Sequence, residues 1–270
     1  MLVKLEPRFR PMVWGSPRLN ELFGIETEPF VGEVWLLSDL EPFVTNVISE
    51  SNTSLREFLK ELGTDLPRFP LLVKLVSPAQ WLSIQVHPDD ELARSMENEP
   101  WGKTECWYFV EAGKIAVVLN GTVLKDCSDP SQIRKHLTYI DMNPGDLFFV
   151  PAGLVHTLGP DSLVVEIQQA SDLTYRIDDW GRKRETHIEK ALKAVKDFQL
   201  EVLLHRNFER FECDHFTVYR VTGRTHLVGF WIVVFLRDGL VGKYRTKAFE
   251  TLIVADESIE GDALLVKIGK

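Results

Sequence analysis

GDLFFVPAGLVHTLG, residues 145–159, is the stretch that decides the fold. Gly145 follows Asn143-Pro144 and opens a strand. Pro151-Ala152-Gly153 ends that strand in a turn, and His156 follows as the chain doubles back. The pattern is G-x5-P-x-G-x2-H, and it places one imidazole at the mouth of a β structure. Short strand-like runs surround it from about residue 70 to 177: PLLVKLVS, WLSIQVH, TECWYFVEA, KIAVVLNG, HLTYIDM, DLFFVPAG, SLVVEIQQA and TYRI. Turn residues separate them, as at Asn120-Gly121. Many short strands at regular spacing predict a closed or sandwiched all-β core.

Outside this region the pattern is sparser. EVWLLSD (33–39) is strand-like, and Pro7, Pro11 and Pro17 make the first residues an irregular lead-in. SLREFLKELG (54–63) reads as a helix with a Ser54–Glu57 capping box and Gly63 at its end. SQIRKHL (131–137) reads as a helical turn. THIEKALKAVKDFQ (186–199) reads as a helix with a Thr186–Glu189 box and Ile188, Leu192, Val195 and Phe198 on one face. FTVYRVTG, GFWIVVFLRDG, AFETLIVADE and DALLVKIG then form a second β unit. The expected organisation is an N-terminal segment 1–68 with a strand and a helix, a barrel 69–183, and a linker helix with a C-terminal β unit, 184–270.

Bulk properties exclude several function classes. The 270 residues carry a net charge of −9, with 44% hydrophobic and 26% charged residues. That balance argues against a general nucleic-acid binder or a protein held by charge on anionic membranes. It leaves room for a small phosphorylated ligand, which needs only a few local cations. VGFWIVVFL (228–236) is too short to span a bilayer. MLVKLEPRFRPMVWG lacks a secretory h-region. Cys106, Cys127 and Cys213 form no disulfide framework. The expectation is a cytoplasmic protein.

Polar residues on packing faces mark the candidate site. In SIQVHPDDELA (83–93), Ser83, Gln85 and His87 share one face of a strand. In GKTECWYFVEA, Glu105 shares a face with Trp107 and Phe109. A carboxylate there is expensive to bury unless paired or metal-bound, although a wet strand end beside Lys103 accounts for it equally well. Glu166 and Gln168 share a face of VVEIQQ. Asp89 and Asp90 read first as turn residues. His136, His187, His205, His215 and His226 fit no ligand spacing.

The motif around His156 resembles the second motif of the cupins, small β-barrels that bind a metal inside. Within them, QVHPDD, GKTE, PAGLVH and EIQQASDLTYRIDDWGR (166–182), in this order, resemble the type I mannose-6-phosphate isomerases in their short microbial form, and FPLLVKLV (69–76) is similar too. The resemblance covers about 69–182. It implies an all-β dominated fold: a cupin-type jelly-roll barrel, a smaller C-terminal β unit that could be a degenerate second cupin, and two or three short helices. It implies that Gln85, His87, Glu105 and His156 bind one metal, usually zinc. The mixed nitrogen and oxygen donors suit zinc and also manganese, cobalt or iron. It makes Arg176 of TYRIDDWGR the catalytic residue, against the plainer reading of a salt bridge to Asp178 or Asp179. Asp178 stands where the family commonly has an aromatic. Lys103 of GKTE is the second catalytic candidate, and Trp101 and Glu166 are substrate-binding candidates.

The implied reaction interconverts mannose 6-phosphate and fructose 6-phosphate through an enediolate. The implied partner is a hexose 6-phosphate, with no nucleic acid and no membrane, on a monomer or homodimer. Two other readings remain: another cupin sugar-phosphate isomerase, and a non-catalytic sugar-binding cupin.

Overall fold

The computed structural model describes residues 1–48, 54–61, 67–126 and 130–269. The chain divides into two compact units. One comprises Met1–Phe9, Val34–Leu75 and Phe208–Lys270; the other comprises Arg10–Glu33 and Val76–Asn207. Both are discontinuous in sequence. Pairing between distant segments is the reason: Leu2, Val3 and Lys4 lie opposite Val254, Ile253 and Leu252.

The unit containing Val76–Asn207 is built from antiparallel strands in two sheets. In one, the strands run in the order Leu204–His205, Leu147–Val150, Glu105–Phe109, Val164–Gln169. In the other, the order is Tyr175–Asp178, Ile84–Val86, Val155–Leu158, Gly113–Val118, Thr138–Met142. Strand alternation sorts the side chains. Trp107, Phe109, Phe148, Val150, Ile115, Val117 and Leu158 fill one buried cluster, and their faces are those that also carry Glu105 and His156. Ile84, Val86, Val118, Val155 and Tyr175 turn the opposite way. They pack under Ala191, Ala194 and Val195, with Leu124 and Ile133 from the two 3₁₀ turns. The all-β cupin-type architecture is therefore present, with short helices laid over it. No described helix is long and apolar enough to cross a membrane.

The other unit centres on two long strands, Phe216–Phe235 and Thr251–Ile268, each of which the sequence suggested as two. Glycine explains the difference. Gly223 (φ 79°) lies opposite Gly261 (φ 148°), so conformations that usually end a strand occur within a continuous ladder. Ile232, Val233 and Val234 pair with both ends of the second strand, Val266–Leu264 and Ile253–Thr251, so the ladder curls back on itself. Lys4, Tyr244 and Glu250 form a polar cluster on this unit, with Lys4 Nζ 2.6 Å from Glu250 Oε1.

Three local readings need correction or completion. The N-terminal residues are ordered as strands Leu2–Glu6 and Arg8–Pro11 and a helix Pro17–Phe23, not as an irregular lead-in. Val3 and Leu5 alternate inward there, and a ladder partner outweighs the prolines. The helix expected over 186–199 spans Ile188–Ala194. No Thr186 cap forms, because His187 is drawn onto the strand beside it: its N–H donates to Arg176 O at 2.7 Å. The chain then leaves the helix so that Lys196 N–H donates to Gly153 O and Phe198 N–H to Leu119 O. In the helix Leu55–Glu61 the Ser54–Glu57 box does form, with Ser54 N–H donating to Glu57 Oε2 at 2.9 Å. The expected terminal Gly63 lies outside the described residues.

Candidate metal centre

Three separate segments converge inside the unit that contains Val76–Asn207. His87 follows the strand Ile84–Val86, Glu105 begins the strand Glu105–Phe109, and His156 lies on Val155–Leu158. Gln85 is directly opposite His156 in the ladder. His87, Glu105 and His156 are all fully buried, and one ligand atom from each lies within 4.8 Å of the other two. His87 Nε2 and His156 Nε2 are 3.6 and 3.5 Å from Glu105 Oε1. Ligands about 2.1 Å from a tetrahedral ion stand about 3.4 Å apart, so this spacing suits one small divalent cation.

The protonation of both imidazoles follows from their other nitrogen. His87 Nδ1 is 2.8 Å from Leu173 O, and His156 Nδ1 is 2.8 Å from Leu154 O. A carbonyl oxygen only accepts, so each Nδ1 carries the proton and each Nε2 presents a lone pair. Burial, helped by the charge of Lys103, pushes His87 down to about 4. Burial likewise lowers His156. Both rings are thus neutral near pH 7. Burial alone would raise the Glu105 carboxyl, but the charge of Lys103 holds it well below the usual carboxylate range. His87 Nε2 and Glu105 Oε1 are buried without a hydrogen-bond donor or acceptor from the protein. Unpartnered buried lone pairs aimed at one point are what a cation would satisfy.

A stability prediction follows for the metal-free protein. A histidine whose folded pKa lies below its unfolded value of 6.5 binds fewer protons when folded. Stability is then complete above about pH 6.5 and is lost as pH falls toward 4, the window set by His87. The expected slope is about 1.4 kcal/mol per pH unit for each histidine titrating only when unfolded. Thermal melts of chelated protein between pH 7 and 4 measure it, and a flat profile contradicts it.

Gln85 is half-buried. Its Oε1 accepts from Ser83 Oγ at 2.8 Å, and its Nε2 lies 3.4 Å from His156 Nε2. Rotating the amide by half a turn would direct the oxygen at the centre while Ser83 Oγ accepts from the nitrogen. Both orientations satisfy Ser83.

Lys103 is buried, with Nζ 2.8 Å from Glu105 Oε2 and 3.8 Å from Glu166 Oε1. The wet-end reading of Glu105 is therefore displaced by a buried ion pair. Glu166 is buried too, and its Oε2 accepts from Trp107 Nε1 at 2.9 Å. Trp101 is half-buried on the loop that leads into Gly102. Arg176 sits opposite Gln85 in the ladder, so Arg176, Gln85 and His156 form one row across three strands. Its guanidinium donates through Nη1 to Glu185 O at 2.7 Å, while Nε is buried without an acceptor. Burial and the neighbouring Arg184 lower its pKa. The salt-bridge reading does not hold: Asp178 pairs with Arg134, and Asp179 pairs with Arg182 and Arg184. Arg134 also stacks over Trp180, 4.6 Å from the ring centroid, which accounts for a carboxylate at position 178.

Some supporting groups had no signal in the sequence. The carbonyls of Leu173 and Leu154 come from irregular segments, and any residue could supply them. Asp89 is a turn residue, its carboxylate capping Leu92 N–H at 3.0 Å and pairing with Lys196. Asp90 reaches further, accepting from Gly102 N–H at 2.8 Å.

Residues 2–114 match the family model of the phosphomannose isomerase type I catalytic domain, a span that includes Gln85, His87, Lys103 and Glu105. A Bacillus subtilis (strain 168) protein described as a probable mannose-6-phosphate isomerase, GmuF, is 34% identical over 253 residues, covering 82% of this chain and 80% of that protein. The mannose-6-phosphate isomerase ManA of the same organism is 34% identical over 212 residues, covering 71% and 67%. The crystal structure of mannose 6-phosphate isomerase from Bacillus subtilis superposes with a TM-score of 0.85 at 27% identity, covering 98% of both chains. With that identity and coverage, the chain belongs to the type I mannose-6-phosphate isomerase family.

Proposed function

We propose that this chain interconverts mannose 6-phosphate and fructose 6-phosphate with one bound divalent cation, zinc first, held by His87, Glu105, His156 and the amide oxygen of Gln85. The observation that carries this reading is the buried group His87–Glu105–His156, with both histidines tied through Nδ1 and both Nε2 lone pairs turned to one carboxylate. When bound, the cation would supply positive charge beside the C1 and C2 oxygens, where an enediolate develops.

The protein's own groups do the rest. Isomerisation moves a proton between C1 and C2 and exchanges a carbonyl with a hydroxyl. Arg176, in the row with Gln85 and His156, offers fixed N–H donors to an oxygen that gains charge. Lys103 keeps Glu105 ionised, with its ammonium 2.8 Å from Glu105 Oε2. It holds an anionic group or moves a hydroxyl proton. Trp101 and Glu166 complete the proposed substrate-binding set, with Glu166 fixed by Trp107. The substrate is a hexose 6-phosphate and the setting is the cytoplasm.

Proton-NMR of mannose 6-phosphate incubated with zinc-loaded protein tests the proposal. Appearance of fructose 6-phosphate, and the reverse conversion from fructose 6-phosphate, is the expected result. A zinc-loaded protein that converts neither sugar contradicts it.

A further inference from the structure

The strand Val164–Gln169 changes character at its end. Val164, Val165 and Ile167 are apolar and fully buried, as a core strand requires. The last two residues, Gln168 and Gln169, are 0% and 3% exposed. An amide buried without partners costs about 1–3 kcal/mol, so this strand end must answer a demand other than packing.

The Gln169 side chain is bonded to two segments that carry proposed ligands, and the Gln168 side chain to the turn that follows its strand. Gln169 Oε1 accepts from Thr104 N–H at 2.9 Å, and its Nε2 donates to Asp90 Oδ1 at 3.0 Å. The same Asp90 oxygen accepts from Gly102 N–H at 2.8 Å. Lys103 N–H donates to Pro88 O, and Gln169 N–H donates to Thr104 O, both at 3.0 Å. The segment after His87 is thereby clamped to the segment before Glu105. The fit is close, because a Cβ at Gly102 would run into the backbone of Pro88 and Asp89. Gln168 lies opposite Glu105 in the ladder. Its Nε2 donates to Gln169 O at 2.9 Å and to Ser171 O at 2.6 Å. Ser171 Oγ in turn accepts from Leu173 N–H, and Leu173 O takes the Nδ1 proton of His87. One glutamine therefore fixes the spacing of His87 to Glu105. The other shapes the turn whose carbonyl sets the tautomer of His87.

We propose that Gln168 and Gln169 are positioning residues of the metal centre, with Asp90 as the partner through which Gln169 acts. The proposal rests on the metal-binding reading of His87, Glu105 and His156. Partners of this kind around a metal ligand typically contribute 10–100-fold in affinity.

The test is zinc affinity, measured by chelator competition on the full chain, for Gln169→Leu, Asp90→Ala, the double variant, Gln168→Met and Asp90→Asn. Gln169→Leu, Asp90→Ala and Gln168→Met are each expected to weaken zinc binding about 10–100-fold. The double variant should lose less than the product of the two single losses, because both changes cut the Gln169–Asp90 bond. Asp90→Asn keeps an oxygen acceptor for Gly102 and should stay within about threefold of the unaltered protein. Unchanged affinity in the single variants, or losses that multiply in the double one, overturns the proposal. So does a fall in the melting point of the metal-free variants with zinc affinity intact, the mark of a purely structural role. If Gln169→Leu does not fold, the Asp90→Ala and Asp90→Asn pair carries the same test from a half-buried position. His156→Ala separates the two readings. If unaltered protein takes up zinc, His156→Ala does not, and Gln169→Leu binds normally, this proposal alone fails. If unaltered protein takes up none, the metal reading fails with it.

Discussion

Glu105→Gln is expected to weaken metal binding by about 10²–10⁴-fold, equivalent to about 3–5 kcal/mol, the usual loss when one partner of a buried ion pair is removed. The substitution is nearly isosteric, so the strand Glu105–Phe109 keeps its packing. What it removes is the formal negative charge of the group His87, Glu105 and His156, 3.5 and 3.6 Å from the two histidine nitrogens. It also strips Lys103 of its nearer carboxylate, leaving a buried ammonium with Glu166 at 3.8 Å. Chelator competition gives the affinity, and turnover of mannose 6-phosphate at saturating zinc gives the remaining activity. Binding within a few-fold of the unaltered protein would show that the carboxylate is a partner of Lys103 and not a metal ligand.

Arg176→Ala is expected to lower kcat by about 10²–10³-fold, the scale for losing one oriented donor to a developing oxyanion. Metal content should stay at the unaltered level, because Arg176 is not among the proposed metal ligands. Arg176→Lys should recover little, since an ammonium lacks the planar fork of a guanidinium. The plainer alternative, a structural arginine, predicts lost stability with kcat preserved. The structure already weakens that alternative: Arg176 ion-pairs with neither Asp178 nor Asp179, and among the described residues its side chain donates to the carbonyl of Glu185.

Much of this was legible in the sequence because the chemistry sits on strands. A strand fixes side-chain direction by alternation, so Glu105 sharing a face with Trp107 and Phe109 was readable from five residues. The Pro151-Ala152-Gly153 turn likewise fixed where His156 would fall. The rest depended on partners that local sequence does not carry. The tautomers of His87 and His156 are set by the carbonyls of Leu173 and Leu154, which have no residue signature. The helix over 186–199 had a sound capping box and apolar face, but pairing of His187 with Arg176 and of Lys196 with Gly153 shortened it to Ile188–Ala194. Four strand runs merge into two long strands, because the positive φ angles of Gly223, Gly229 and Gly261 are absorbed within the ladder. Asp90 looked like a turn residue, and its bonds to Gly102 and Gln169 come from segments 12 and 79 positions away.

Turnover against metal stoichiometry tests the central claim most directly. Protein stripped with a chelator and dialysed should convert no mannose 6-phosphate. Activity should return in proportion to added zinc and level off at one equivalent per chain, and His156→Ala should show no such recovery. Full turnover by the stripped protein, or none at any zinc level, would contradict the account.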